Sequence, residues 1–377
     1  MAALSTNKEF YYGQSSIPQM AGVAGYIISI LDAFLVNGFN SKNVSSISVT
    51  SNIATVTTST AHDYEIGNII VFSGSNESIF NDEFEIISIP STTTFTFSIT
   101  TALTSATGTI TCKVAPLGWE KTYSGTNKAV YRSLDVTTNQ LYLRVDDTQT
   151  LYATVTMYET MSNVDTGTGG TTVYWKKSTT ANTTSMPWYA IGNKKTFYLF
   201  SDWHPSYPLQ PVGYAFGWFP SLKSGDGYNT MLIGHTVSNP TYPASNNDFA
   251  RIGSSGGTKG QVIARSYSQL GSSILFYKYG GLSSHEYMGY SVSYNFPNPV
   301  DNGVHLFPVY IYESGNNNLR GKFPGVYIPN EHTNGSFLSR DKTVIVDGKR
   351  YIAYRITNSN AVGQYGNCWF ALDEEWS

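Results

Sequence analysis

Three residue types of a nucleophilic triad stand together in the phrase SDWHPSYP, as Ser201, Asp202 and His204. A working triad holds its base between nucleophile and orienting carboxylate, and its members come from separate chain segments. So tight a spacing cannot set an imidazole between the other two. The phrase reads as a polar loop between strands, with Trp203 and Tyr207 packed beside Pro205 and Pro208.

Carboxylates occur as the pair Asp146 and Asp147 and as the trio Asp82, Glu83 and Glu85. Glycoside hydrolysis needs two carboxyl groups flanking one bond, and calcium needs several oxygens around one ion. Neighbours on a strand face opposite sides, so Asp146 and Asp147 do not share a site. Glu83 and Glu85 share a face, but edge charges that discourage strand addition explain them as well. The histidines, at positions 62, 204, 235, 285, 305 and 332, form no HxH or HExxH spacing. The GSSGG phrase at 253–257 lacks the lysine and following helix of a phosphate cradle. The expectation is therefore a chain that is not an enzyme, with no catalytic residue, no metal ligand and no cofactor.

The aromatic residues carry more. Trp203, Tyr207, Tyr214, Trp218, Phe219 and Tyr228 crowd one short stretch. Tryptophan and tyrosine serve as core, as interface anchors and as stacking platforms for sugar rings. Three readings stay open: the core of a β-sandwich, a subunit interface, or contact with a glycan or receptor through Trp203, Tyr207, Tyr214, Trp218 and Tyr228.

The elements that must hold these residues are strands. Runs such as QLYLRV, LYATVTMYE, KTFYLF, SSILFYKY and VHLFPVYIYE are separated by Gly, Asn, Pro and Ser clusters. Only Ser16 to Phe39 has helical periodicity, with Met20, Val23, Ala24, Ile27, Ile28, Leu31, Phe34 and Leu35 on one stripe. Ser16 and Gln19 have capping-box spacing, and Asn37-Gly38 supplies a stop. That segment carries Gln19 and Asp32 and lacks a basic leader, which argues against an export signal or a membrane span. The fold class predicted is all-β: antiparallel sandwich-like domains with one N-terminal amphipathic helix.

Between Val44 and Val114 the composition turns to Ser, Thr and Ile, with alternation in SISVTSNIATVTTS and TFTFSITT. This predicts a small β-module inserted at 44–114. The flanks, 1–43 and 115–170, are expected to join into one region, followed by a sandwich-like domain at 171–377. The glycine-threonine stretch at 167–172 is read as a hinge or a surface loop. No fixed repeat occurs, which argues against a propeller or a β-helix.

Charged residues make up 13% of the chain, about half of the roughly 25% usual in soluble proteins. A surface so poor in charge is suited to being covered by sister copies. With 23 basic and 26 acidic residues and no basic run, nucleic acid is not an expected partner. Cys112 and Cys368 are read as buried thiols.

Two resemblances carry the reading further. The stretch ISVTSNIATVTTSTAHDYEIGNIIVFSGS with IFNDEFEIISIPSTTTFTFSI resembles a small β-module inserted into phage tail proteins, on Ala61-His62, Gly67, Asn81, Phe84 and Thr94-Phe95-Thr96. The remainder is similar to a family of virion proteins of tailed phages. The matching words are LVNGF, GWEKTYSGTNKAVYRS, LYLRVDD, YETMSNVDTGTG and LRGKFPGVYIPNEH. At Gln149 and Thr150 the chain departs from the glycine-rich turn of such relatives, which puts one loop in question. The resemblance implies a structural component of the virion, a tail or non-contractile tail-sheath subunit made in the bacterial cytoplasm. Implied partners are further copies in a ring or sleeve, other tail or neck proteins, and a host surface receptor. A glycan-binding role and a polysaccharide depolymerase are the alternatives.

Overall fold

The computed structural model describes residues 7–207, 209–243, 247, 249–250, 260–280, 288, 297–315, 318–331, 343–357 and 365–376. Their regular structure is almost wholly antiparallel strand, so the chain is all-β.

Among the described residues the largest sheet has twelve strands. From one edge it runs Lys8–Tyr11, Trp188–Gly192, Thr196–Ser201, Val212–Trp218, Thr230–Ile233, Gln261–Ile263, Ile274–Tyr279, Leu306–Glu313, Leu319–Pro329, Tyr365–Ala371, Lys349–Thr357 and Thr343–Val346. It bends over on itself. Tyr198, near one edge, meets Phe323 at 5.5 Å and Phe370 at 4.9 Å between ring centroids, and Phe200 stacks on Tyr354 at 5.1 Å. The enclosed strands are covered on both faces, which is why Thr196–Ser201 is buried at every position, with the apolar run Phe197, Tyr198, Leu199 and Phe200 at its centre.

A five-stranded sheet covers the outer face, in the order Thr171–Lys176, Tyr152–Tyr158, Tyr142–Asp146, Lys128–Ser133 and Trp119–Gly125. Trp119 and Trp175 meet Phe197 edge-on at 5.4 and 6.2 Å, and Trp175 stacks on Tyr214 at 5.5 Å. The result is a sandwich in which aromatic rings fill the space between sheets.

The stretch at 167–172 is neither hinge nor loop. Thr166–Thr168 pairs with Thr160–Asn163, and Thr171–Lys176 pairs with Tyr152–Tyr158. Its glycines serve close approach, since a Cβ on Gly167 or Gly170 would lie 2.7 or 2.5 Å from the Tyr158 ring.

Residues Phe39 to Val114 build a separate seven-stranded sheet. Ser51 and Asn52, both at positive φ (50° and 64°), make the two-residue turn between strands Phe39–Thr50 and Ile53–Thr58. Phe72, Phe84, Phe95 and Phe97 fill its interior, with Phe84 stacked on Phe97 at 4.1 Å. Phe39 pairs with Val114, so the unit enters and leaves at one place.

The helix is shorter than its periodicity predicts. Only Tyr26–Leu31 is α-helical, followed by a wider π-turn over Asp32–Asn37. Ser16 is no cap; it sits at φ 64°. Two glycines set the boundary. Gly22 lies so close to the Thr180 carbonyl that a Cβ would come within 1.8 Å, and Gly25 is left-handed at φ 85°, so the lead-in lies extended along 180–186. The stop falls as expected at Gly38, φ 69°. Met20, Ile27, Leu31, Phe34 and Leu35 are buried in this chain's own core. Both cysteines are buried free thiols.

Candidate functional site

The two sheets meet at a corner. Strand Thr171–Lys176 ends the five-stranded sheet, and Tyr174 exchanges two 2.9 Å backbone hydrogen bonds with His235, just beyond strand Thr230–Ile233 of the larger one. Trp175 Nε1 donates to the Ile233 carbonyl at 2.9 Å. The Tyr214 hydroxyl accepts from Lys176 N at 2.9 Å and donates to Lys176 O at 3.1 Å. These bonds fix Lys176 at the join.

The Lys176 ammonium lies 5.5 Å over the Trp203 ring and donates to Asn239 Oδ1. Among the described residues no carboxylate pairs with it. Burial alone pushes its pKa down to about 8. His204 is tilted on Trp203 at 5.1 Å and edge-on to Tyr207 at 4.7 Å, and Tyr207 is edge-on to Tyr242 at 5.5 Å. Burial first, and the nearby Lys176 charge last, hold the His204 imidazole below its usual value. Beneath, His235 is wedged between Trp203 and Tyr214 at 6.3 and 5.7 Å. Trp203 Nε1 is buried with no acceptor among the described residues.

The corner is therefore a lip of two proline-bearing loops, 201–210 and 235–243, over one ammonium. Leu209, Val237 and Tyr242 are exposed on its rim. Aromatic faces with a single cation suit the holding of a flat, acceptor-bearing group.

The five aromatic residues singled out from sequence divide among three places. Trp203 and Tyr214 are buried core of the lip, and Tyr207 is half-buried at its mouth. Trp218 lies elsewhere, 5.0 Å under Lys195, which pairs with Glu375 at 2.8 Å. Glu375 lines a concavity of about 180 Å³ shared with Pro324, Tyr327, Glu374 and Trp376. Tyr228 lies 4.3 Å under Arg265, whose guanidinium grips Glu159 through two 2.6 Å bonds.

Ser201, Asp202 and His204 turn apart. Ser201 Oγ donates to Met20 Sδ at 3.0 Å, Asp202 Oδ2 accepts from Leu209 N at 2.8 Å, and His204 Nδ1 accepts from Ser206 N at 3.3 Å. Asp146 bonds Thr148 and Arg144, whereas Asp147 is buried against Lys177. Glu83 and Glu85 are not solvated edge charges. They pair with Lys8 at 2.6 Å and Arg350 at 2.7 Å, fastening the small sheet to the body. Among the described residues no group of three or more metal-ligating side chains occurs. GSSGG at 253–257, His285 and His332 lie outside the described residues.

Lys176, Asn239 and Tyr242 escaped the sequence reading, and His235 entered it only as one of the isolated histidines. The one available signal was a Lys-Lys pair closing the apolar strand TTVYWK, where a solvated end is the ordinary expectation.

No protein-family model matches this sequence, and no curated protein matches it. Among solved structures the chain is similar to phage phi92 endosialidase, at 11% identity and a TM-score of 0.18, over 88% of this chain and 51% of that one. The chain thus spans about half the length of that structure's chain. The expectation that the chain is not an enzyme does not stand: a solved structure to which the chain is similar is by name an enzyme. At that TM-score the likeness carries no argument for its activity or its fold in this chain. Among the described residues no helix is long and apolar enough to cross a membrane.

Proposed function

We propose that this chain is a structural subunit of a tailed-phage virion, assembled in several copies as a ring or sleeve on the tail beside other tail or neck proteins. The observation that carries the reading is where its few charges lie. Lys8, Lys176, Lys177, Lys278, Arg320 and Arg355 are buried, as are Asp135, Asp147, Asp202, Glu313 and Glu331. A chain with only 13% charged residues thereby keeps still fewer outside. Meanwhile Val136 and Val300 are 82% and 92% exposed, with Leu270, Ile345 and Leu222 also bare. Such an exterior suits faces that sister subunits cover. A closed ring needs heterologous contacts, one patch meeting a different patch on the next copy. The resemblance of its phrases to those of phage virion proteins supports the same reading.

Exposed apolar positions give the test. Val136→Asp and Val300→Asp should leave the fold intact and lower the association measured by sedimentation. Association unchanged by aspartate at every such position would sink the assembly reading.

A second reading, contact with a host surface glycan or receptor, is favoured by the lip of Tyr207, Tyr242 and His204 over Lys176. Tyr242→Ala in intact particles should reduce adsorption to host cells. Unchanged adsorption would remove this reading and leave the first standing.

A further inference from the structure

The loop at 297–304 hangs on one carboxylate. Glu331, fully buried just past strand Leu319–Pro329, receives three hydrogen bonds from the two ends of this loop. His305 N donates to Oε2 at 2.9 Å, His305 Nδ1 meets Oε1 at 2.6 Å, and Asn298 Nδ2 donates to Oε1 at 3.2 Å. The other imidazole nitrogen, Nε2, lies 3.0 Å from Asp301 Oδ2. Within the loop, Asn298 N donates to Gly303 O at 3.0 Å, Val300 N to Asn298 Oδ1 at 2.9 Å, and Gly303 N to Asp301 Oδ1 at 2.9 Å. Val300 stands at the tip.

Carboxylates only accept, so an imidazole bridging two of them must donate from both nitrogens. Only imidazolium has two N–H groups. Neutral His305 keeps one, so either Asp301 or the buried Glu331 loses its imidazole donor, and with it the imidazolium charge is gone. A buried carboxylate without a counter-charge is costly. We propose that His305 is a proton-operated latch, closing the loop at 297–304 when its imidazole is charged and releasing the loop when it is neutral.

Among the described residues, Glu331 and Asp301 are the charged groups facing the ring; Asn298 is the neutral partner on Glu331. The hydrogen bond to Glu331 first, then both negative charges, hold His305 above its ordinary value, while His305 holds Glu331 below its own. The sign follows. A histidine raised on folding contributes fully below its unfolded pKa, about 6.5, and that contribution is lost as pH rises through the raised value. On the acid side, Glu331 contributes above its unfolded pKa and loses that contribution as pH falls through its lowered one. The latch is thus complete in mildly acidic solution and opens toward alkaline pH. Because His305 is half exposed, its opening is local.

The test pairs two measurements on the full chain: NMR titration of the His305 imidazole, and hydrogen exchange of the Asn298, Val300, Gly303 and His305 amides corrected for intrinsic rates. The imidazole should titrate above its ordinary value, and protection should fall about tenfold or more between about pH 6 and about pH 9. His305→Gln, which offers one donor and no titration, should show protection that is weak and flat across that range. Asp301→Asn, which no longer demands a second donor, should lower the titration and flatten the fall. Glu331→Gln should weaken protection at every pH. An imidazole titrating at or below about 6.5, wild-type protection flat through the titration, or a full pH-dependent fall retained in His305→Gln would each overturn the latch.

Discussion

The Asp147 carboxylate meets the Lys177 ammonium with both side chains fully buried, and together they seat the only α-helix among the described residues. Asp147 Oδ2 accepts from Ile27 N at 2.9 Å, in the first turn, while its backbone carbonyl accepts from Gly25 N at 3.0 Å. Lys177 Nζ donates to Val23 O at 2.6 Å. A six-residue helix does not stand by itself in water, and the N-terminal N–H groups it leaves over need acceptors. The five-stranded sheet supplies them, with Asp32 tied further along to Tyr131 and Lys121. Burial pushes the Asp147 carboxyl up to about 6 against the opposing pull of Lys177, and lowers Lys177.

Removing one partner of this pair strands the other charge. Lys177→Met should cost about 3–5 kcal/mol, read by urea unfolding, and Asp147→Asn combined with it, which removes the charge but keeps an oxygen for Ile27 N, should recover much of the loss. Additive losses in the double variant would show that the two residues act separately.

Asp202 makes the second expectation, a pH dependence. Burial pushes its carboxyl up to about 6, opposed by N–H bonds from Leu209 and Gln210 and by the charge of Arg355, and Oδ1 has no partner among the described residues. The folded state therefore holds this proton more tightly than the unfolded chain. Acidification from about pH 7 to about pH 4 should favour the fold by about 2–3 kcal/mol through this group. Other carboxylates titrate over the same range, so the readout is the difference between wild type and Asp202→Asn, whose side chain is neutral throughout. Parallel stability profiles for the two would contradict it.

The small sheet from Phe39 to Val114 gives a third. Its ends pair with each other, and it holds its own phenylalanine core. An insert whose ends meet can be removed without pulling the host apart. Joining Phe39 to Val114 through a short glycine-serine link should leave a body with a cooperative unfolding transition and intact near-ultraviolet dichroism. Loss of both would show that the body needs its contacts with the module, the Lys8–Glu83 and Arg350–Glu85 pairs included.

Much of this was legible in the sequence because strands advertise themselves through alternation. QLYLRV and LYATVTMYE became adjacent strands, with Leu143, Val145, Ala153 and Val155 turned inward. The helix was legible as a stripe but not in its length, because what ends it is a close approach at Gly22 to a carbonyl far along the chain. Glycine at 167–170 misled for the same reason, as its meaning lay in the Tyr158 ring beside it. The aromatic cluster was visible, but its division among the lip, Lys195 and Arg265 was not. Lys176 was hidden altogether, since only tertiary packing distinguishes a buried lysine from a solvated strand end.

Self-assembly of this chain is tested by negative-stain electron microscopy of the purified full-length protein alongside its mass in solution. A self-assembling subunit gives closed rings or short tubes and a mass that is a multiple of 41.4 kDa. A monodisperse particle of single-chain mass at every concentration, with no ordered assemblies on the grid, would contradict it.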